Sequence, residues 1–226
     1  DESNKALSME DLGSWGASLK TINNAIIQPH GMVLVTGPTG SGKSTIAQLL
    51  LRMYDPQSGM IEYDGVPLKK IDLSYLRSQI SYVPQDIFLF SETVENNIAF
   101  GLEKSTLDDV IKAAQQASVH SEITGFADGY HTMIGERGVT LSGGQKQRIS
   151  IARALIKQPA IVIFDDCLSA VDAKTEKEVL GNLNMYLENK MAIIITHRIF
   201  SLLNFDNIIV LNQGNIIEQG THHVLM

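Results

Sequence analysis

Short apolar runs punctuated by glycine and proline turns organise this chain. Met32–Thr36, Ala160–Phe164 and Met191–Ile195 are almost unbroken in apolar residues, as expected of strands covered on both faces of a sheet rather than on one. Further strands are predicted near Met60–Tyr63, Ile80–Val83, Ile208–Leu211 and Asn215–Glu218. Between them the period changes. Ile46, Leu49, Leu50 and Met53 fall on one helical face, in a helix expected to end before Asp55–Pro56. Val110, Ala113, Ala114 and Ala117 repeat at helical spacing, and Ile149, Ala152 and Leu155 continue a helix opened by Leu141–Gln145. Another helix is expected near Thr175–Leu187. Strands alternating with helices predict an α/β fold on a mostly parallel sheet. A helical subdomain, about 88–157, is expected between two halves of the sheet domain. Residues 1–18 are polar and patternless and receive no assignment. The chain is expected to end inside a helix, with a truncated C-terminus.

Composition narrows the possibilities. The 226 residues, 44% of them hydrophobic, suffice for one large core. A formal charge of -7 disfavours a nucleic-acid surface. One cysteine, Cys167, excludes an internal disulfide framework and reads as a small buried residue after a strand. No apolar run approaches the roughly 18–20 residues that span a bilayer, and the polar start carries no signal-peptide pattern. A membrane role would therefore come through a partner or through a segment outside this sequence.

The chemistry is concentrated in Gly37-Pro38-Thr39-Gly40-Ser41-Gly42-Lys43-Ser44-Thr45, which satisfies G-x-x-x-x-G-K-[ST] between a predicted strand and a predicted helix. Glycines let the backbone wrap so that successive N–H groups converge on an anion, and the helix N-terminus adds positive potential. Lys43 is expected to reach the β- and γ-phosphates of ATP, and the Ser44 hydroxyl to ligate Mg²⁺. Asp165, at the end of an apolar strand, is the expected second metal-organising group.

The remaining motifs identify a family resemblance. Leu141-Ser142-Gly143-Gly144-Gln145 resembles the signature sequence of ABC ATPases, Gln85 in Val83-Pro-Gln-Asp86 the Q-loop, Ser169-Ala-Val-Asp172 the D-loop, and His197 the switch histidine. They stand in the family's order after the phosphate loop, and the resemblance spans about 19–226. Ser142 and Gln145 also fit a helix capping box, which leaves the two adjacent glycines unexplained. The resemblance implies a P-loop NTPase core with a mixed sheet and inserted helical subdomain. It also implies that Ser142–Gln145 act on ATP held by a second nucleotide-binding domain, in a homo- or heterodimer. Gln85 would touch the Mg²⁺ or attacking water, and His197 the γ-phosphate. Phe90–Ile98 and Gly220-Thr-His222 resemble exporters of the multidrug and lipid type, which implies a transmembrane domain on the same polypeptide and a place at the cytoplasmic face of the membrane. The alternatives are a soluble ABC ATPase acting in translation or DNA repair, and an importer motor encoded as a separate chain.

One position departs from the pattern. Where the family usually has a catalytic glutamate, this chain has Asp166. The carboxylate is kept on a stem one methylene shorter, so weak hydrolysis is expected, as in the degenerate-site subunit of a heterodimer. For the adenine ring, Trp15 is the nearest upstream aromatic but lacks the family's surroundings, and Tyr54 is placed too deep in the first helix.

Overall fold

The computed structural model describes residues 30–135, 140–168, 172–197 and 204–225. Trp15 and the rest of 1–18, Ser169–Val171 of the D-loop-like segment, and Arg198 lie outside the described residues.

The core is a 6-stranded sheet. In chain order its strands are β1 (Gly31–Thr36), β4 (Ile80–Val83), β5 (Ile161–Asp165), β6 (Met191–Ile195), β7 (Asn207–Asn212) and β8 (Asn215–Gly220). Across the sheet they run β4-β5-β6-β1-β7-β8. Every neighbouring pair is parallel except β7 with β8. A small antiparallel pair, β2 (Glu62–Tyr63) and β3 (Val66–Pro67), stands apart.

The apolar runs are unbroken because both faces of the central strands are covered. Side chains alternate across a strand. Val33 and Val35 of β1, Ile163 of β5 and Ile193 and Ile195 of β6 join one core. On that side lie α1 (Lys43–Leu50) and α2 (Leu73–Gln79), contributing Ile46, Leu49, Leu50 and Leu76. Leu34, Val162, Phe164, Ala192 and Ile194 point to the opposite core.

Among the described residues four α-helices occupy the connection from β4 to β5: α3 (Val94–Ala99), α4 (Leu107–Gln116), α5 (His120–Thr124) and α6 (Gly143–Leu155). The chain thus makes a long helical excursion between two adjacent parallel strands. With α7 (Ala173–Leu187) they build the second core, where Val110, Ala113, Ala114 and Ala117 are all buried. A short α8 (His222–Leu225) follows β8.

The first helix ends earlier than its periodicity suggests. It closes at Leu50, with Leu51 as its cap, so Met53 is exposed and Tyr54 lies beyond the helix at 62% exposure. Asp55–Pro56 limits where a helix must stop but does not choose the last turn.

Arg148 of α6 is 4% exposed and is paired through Nη2 with Glu122 of α5, while its Nε has no partner. Only the arginine end of this pair is buried, Glu122 being 37% exposed; a pair of this kind contributes little net stability over an apolar replacement, yet removing the carboxylate strands a desolvated charge. Glu122→Ala is therefore expected to cost about 2 kcal/mol, and Arg148→Met clearly less. Urea unfolding of the two variants checks this; a greater loss from Arg148→Met would contradict it.

Candidate functional site

The sheet register assembles the site. Val35 of β1 is opposite Ile195 of β6, and Ile195 is opposite Asp165 of β5. Val83 of β4 pairs with Phe164. Since these four strands are parallel, the residues that follow them emerge at one edge: the glycine-rich loop after β1, Gln85 after β4, Asp166 after β5 and His197 after β6. The C-terminal edge of an open parallel sheet is where such folds bind ligands. Here it carries a cavity of about 340 Å³ lined by Thr39, Gly40, Gly42, Lys43, Ser44, Thr45, Gln85, Asp165, Asp166 and His197.

The loop is a cradle built from backbone. A Cβ on Gly37 would lie 2.1 Å from the Leu211 carbonyl oxygen, and its φ of +144° is one that side chains rarely adopt. Gly42, with φ 93°, caps α1 in a left-handed conformation with no side-chain cap, and the first turn holds no acidic residue. The bare N–H groups of that turn are thus left to an anion. Ser41 is buried and its hydroxyl has no partner. Lys43 Nζ donates to the carbonyls of Gly37 at 2.6 Å and Pro38 at 2.8 Å, inside the loop. Burial lowers its pKa, against the opposing pull of Asp165 and Asp166. These features fit a polyphosphate.

Asp165 is buried, which pushes its carboxyl above the ordinary range, and neighbouring Asp166 adds to this. Hydrogen bonds from Ser44 and Tyr82, and the charge of Lys43, oppose the shift. Tyr82 Oη donates to Asp165 Oδ2 at 3.0 Å. Burial first, then Asp165, raises the Tyr82 hydroxyl's own pKa and keeps it a donor. A hydroxyl and a desolvated carboxylate in contact are hard oxygen donors of the kind that suit a Mg²⁺ ion. Among the described residues no group of three or more His, Cys, Asp or Glu could hold a metal without such help.

Asp166 is held in a strained turn. Its φ is 44°, a left-handed conformation that aspartate tolerates better than most residues. Its N–H donates to the Ile195 carbonyl at 2.8 Å. Its Oδ1 accepts from Thr196 Oγ1 at 3.2 Å and lies 3.4 Å from His197 Nδ1. Next to it, Cys167 is buried, with its thiol pKa raised by that burial.

Ser142, Gly143, Gly144 and Gln145 do not line this cavity. They open α6, where Ser142 Oγ accepts from Gln145 N at 3.2 Å and Gln145 Oε1 accepts from Ser142 N at 2.9 Å, a complete capping box. Asp172 caps α7 by accepting from Lys174 N and Thr175 N, and its bonds with Thr175 hold its carboxyl below the ordinary range. Sequence reasoning missed Tyr82 and the Thr196 hydroxyl as site groups. Tyr82 stands three residues before Gln85, but only the pairing of β4 with β5 brings its hydroxyl to Asp165.

Comparison with known proteins accords with this arrangement. A family model described as ABC transporter matches residues 20–169. An uncharacterized ABC transporter ATP-binding protein of Bacillus subtilis, YknU, is 50% identical over 190 residues, covering 84% of this chain and 32% of that protein. The multidrug resistance-like ATP-binding protein MdlA of Escherichia coli is 46% identical over 208 residues, with coverages of 92% and 35%. A solved structure of a bacterial Atm1-family ABC exporter with ATP bound matches with a TM-score of 0.82 at 42% identity, covering 86% of this chain and 34% of that one. The chain spans about a third of the length of these relatives. By fold, by motif order and by similarity, it belongs to the ABC transporter family, as an ATP-binding ATPase domain of the kind its exporters carry.

Proposed function

We propose that this chain is the motor of an ABC exporter: it binds Mg-ATP, pairs head to tail with a second nucleotide-binding domain, and couples hydrolysis to movement of a membrane domain. The observation that carries this reading is the convergence of the 37–45 loop, Gln85, Asp165, Asp166 and His197 on one cavity, while Ser142–Gln145 stand outside it. A signature segment separated from its own chain's phosphate cradle is suited to a nucleotide held by another domain. Such a pair closes two sites across one symmetric interface. Among the described residues no helix is long and apolar enough to cross a membrane, so the translocation path would belong to another domain, on the same polypeptide or a partner, with this domain at the cytoplasmic face.

Each residue then has a role. The loop amides and Lys43 hold the β- and γ-phosphates, Lys43 exchanging its loop carbonyls for phosphate oxygens. Ser44 and Asp165 hold the Mg²⁺, with Tyr82 keeping the Asp165 carboxylate oriented. When bound, the metal supplies neutralisation of charge developing on the phosphate oxygens. Gln85 and Asp166 position the attacking water, and His197 donates toward the γ-phosphate. Catalysis of this kind rests on positioning and electrostatics. The departure at Asp166 weakens it: the short stem is engaged by Thr196 and lies beside His197. The intact Ser142–Gln145 segment would serve a competent site on the partner.

Lys43→Ala is expected to weaken Mg-ATP association at least tenfold in calorimetry while the thermal midpoint of the free domain stays close to wild type; undiminished binding would remove the basis of the reading. Asp166→Glu is expected to raise ATP turnover of the complete transporter about tenfold, since a displacement on the order of 1 Å is worth up to about a hundredfold in rate. Unchanged turnover would show that the shorter carboxylate is no handicap.

A further inference from the structure

Arg153 lies near the C-terminal end of α6, outside the lining of the nucleotide cavity, and each of its three guanidinium nitrogens donates a hydrogen bond. Nε donates to the Asn97 carbonyl at 2.7 Å, Nη2 to Asn97 Oδ1 at 2.8 Å and Nη1 to the Phe88 carbonyl at 2.9 Å. The cation lies 5.7 Å from the ring centroids of both Phe90 and Phe100, which stack at 4.3 Å. Burial lowers its pKa, yet no carboxylate pairs with it among the described residues; its acceptors are amide oxygens.

Those acceptors belong to one segment, the one that follows Gln85. Asn97 has no exposed surface and knits the segment together, accepting from Phe90 N at 2.9 Å and donating to the carbonyls of Phe90 and Thr93, both at 3.0 Å. A second tie leads the same way. Val94 N donates to the Thr132 carbonyl at 3.0 Å and Ile134 N to the Glu92 carbonyl at 2.9 Å. A Cβ on Gly135 would lie 2.6 Å from Ser91 Oγ. The segment is therefore gripped by Arg153 from the far end of α6 and bridged to the chain that approaches α6 from its N-terminal side. Helix α6 has 13 residues, so it is a rod of about 20 Å with Ser142 at one end and Arg153 near the other.

We propose that Arg153 is a positioning residue that locks the segment after Gln85 to α6, so that a shift of Gln85 in one nucleotide site is delivered through the helix to Ser142–Gln145. This rests on the exporter-motor reading for its purpose, but not for its geometry. Arg153 is not among the residues that line the nucleotide cavity. A guanidinium is the right group: its rigid fork meets several carbonyl oxygens at once and its plane suits aromatic neighbours, neither of which an ammonium reproduces.

The test uses Arg153→Lys in the complete transporter. In the nucleotide-free state, amide hydrogen exchange is expected to quicken about tenfold both at Asp86–Phe90 and at Gly143–Gln145, with β5 and β6 unchanged. Faster exchange at Asp86–Phe90 alone would reduce Arg153 to a local brace and overturn the proposal. Affinity for Mg-ATP is expected to stay within twofold while turnover falls about tenfold. In a Gln85→Ala background the same substitution should cost less than twofold more. Independent, multiplicative losses would overturn the link, as would turnover that falls only in step with the thermal midpoint. Should Arg153→Lys not fold, Phe100→Leu at a half-exposed position replaces it, with about a threefold loss of turnover expected and wild-type turnover and exchange contradicting the proposal. If Lys43→Ala leaves turnover intact, the motor reading fails separately, and the exchange data still decide the coupling.

Discussion

The parallel pairing of β4, β5, β6 and β1 is the constraint on which the rest depends. It gives four strands a common direction, so the residues just past their ends share one edge of the sheet. Val35, Ile195 and Asp165 lie in a single cross-strand row. A slip of β5 by one residue against its neighbours would turn Asp165 to the other face of the sheet and separate it from Ser44. Two cores prevent that slip. Each strand commits alternate side chains to opposite apolar clusters, so every wrong register would exchange the neighbours of Leu34, Ile163 and Ile194 at once.

On that edge the protein tolerates unfavourable electrostatics. Two adjacent carboxylates, one buried, face a lysine whose own charge is disfavoured by desolvation. The Ser41 hydroxyl is buried without a partner, and Asp166 carries a left-handed backbone. None of these contributes to folding by itself. Together they form a site whose charges and donors a polyanion and a cation would balance, as the proposed function requires.

The apolar core of the helical excursion matters in a different way. It holds α6 against α3 and α4, and the Arg153–Asn97 contacts tie α6 to the chain leaving the nucleotide edge. A packed element with few soft joints transmits displacement rather than absorbing it. The signature segment at the other end is itself closed by a reciprocal capping box, so its first turn is well defined although two of its residues are glycines.

Much of this was legible from the chain alone. Unbroken apolar runs marked β1, β5 and β6, because strands covered on both faces need no polar alternation. The phosphate loop was legible because it is made by consecutive residues, and so was the cap at Ser142 and Gln145, three positions apart. The end of α1 was not: periodicity carries no stop signal stronger than Asp55–Pro56, and tertiary packing left Met53 and Tyr54 outside. Nor could the sequence disclose that Tyr82 donates to Asp165, that Thr196 holds Asp166, or that Arg153 grips Asn97. These partners are brought together by sheet register and helix packing, across separations of 83, 30 and 56 residues. Local pattern determined which chemistry the protein owns; long-range register decided which of those groups can touch, since a side chain's neighbours across a sheet are set by pairing and not by spacing along the chain.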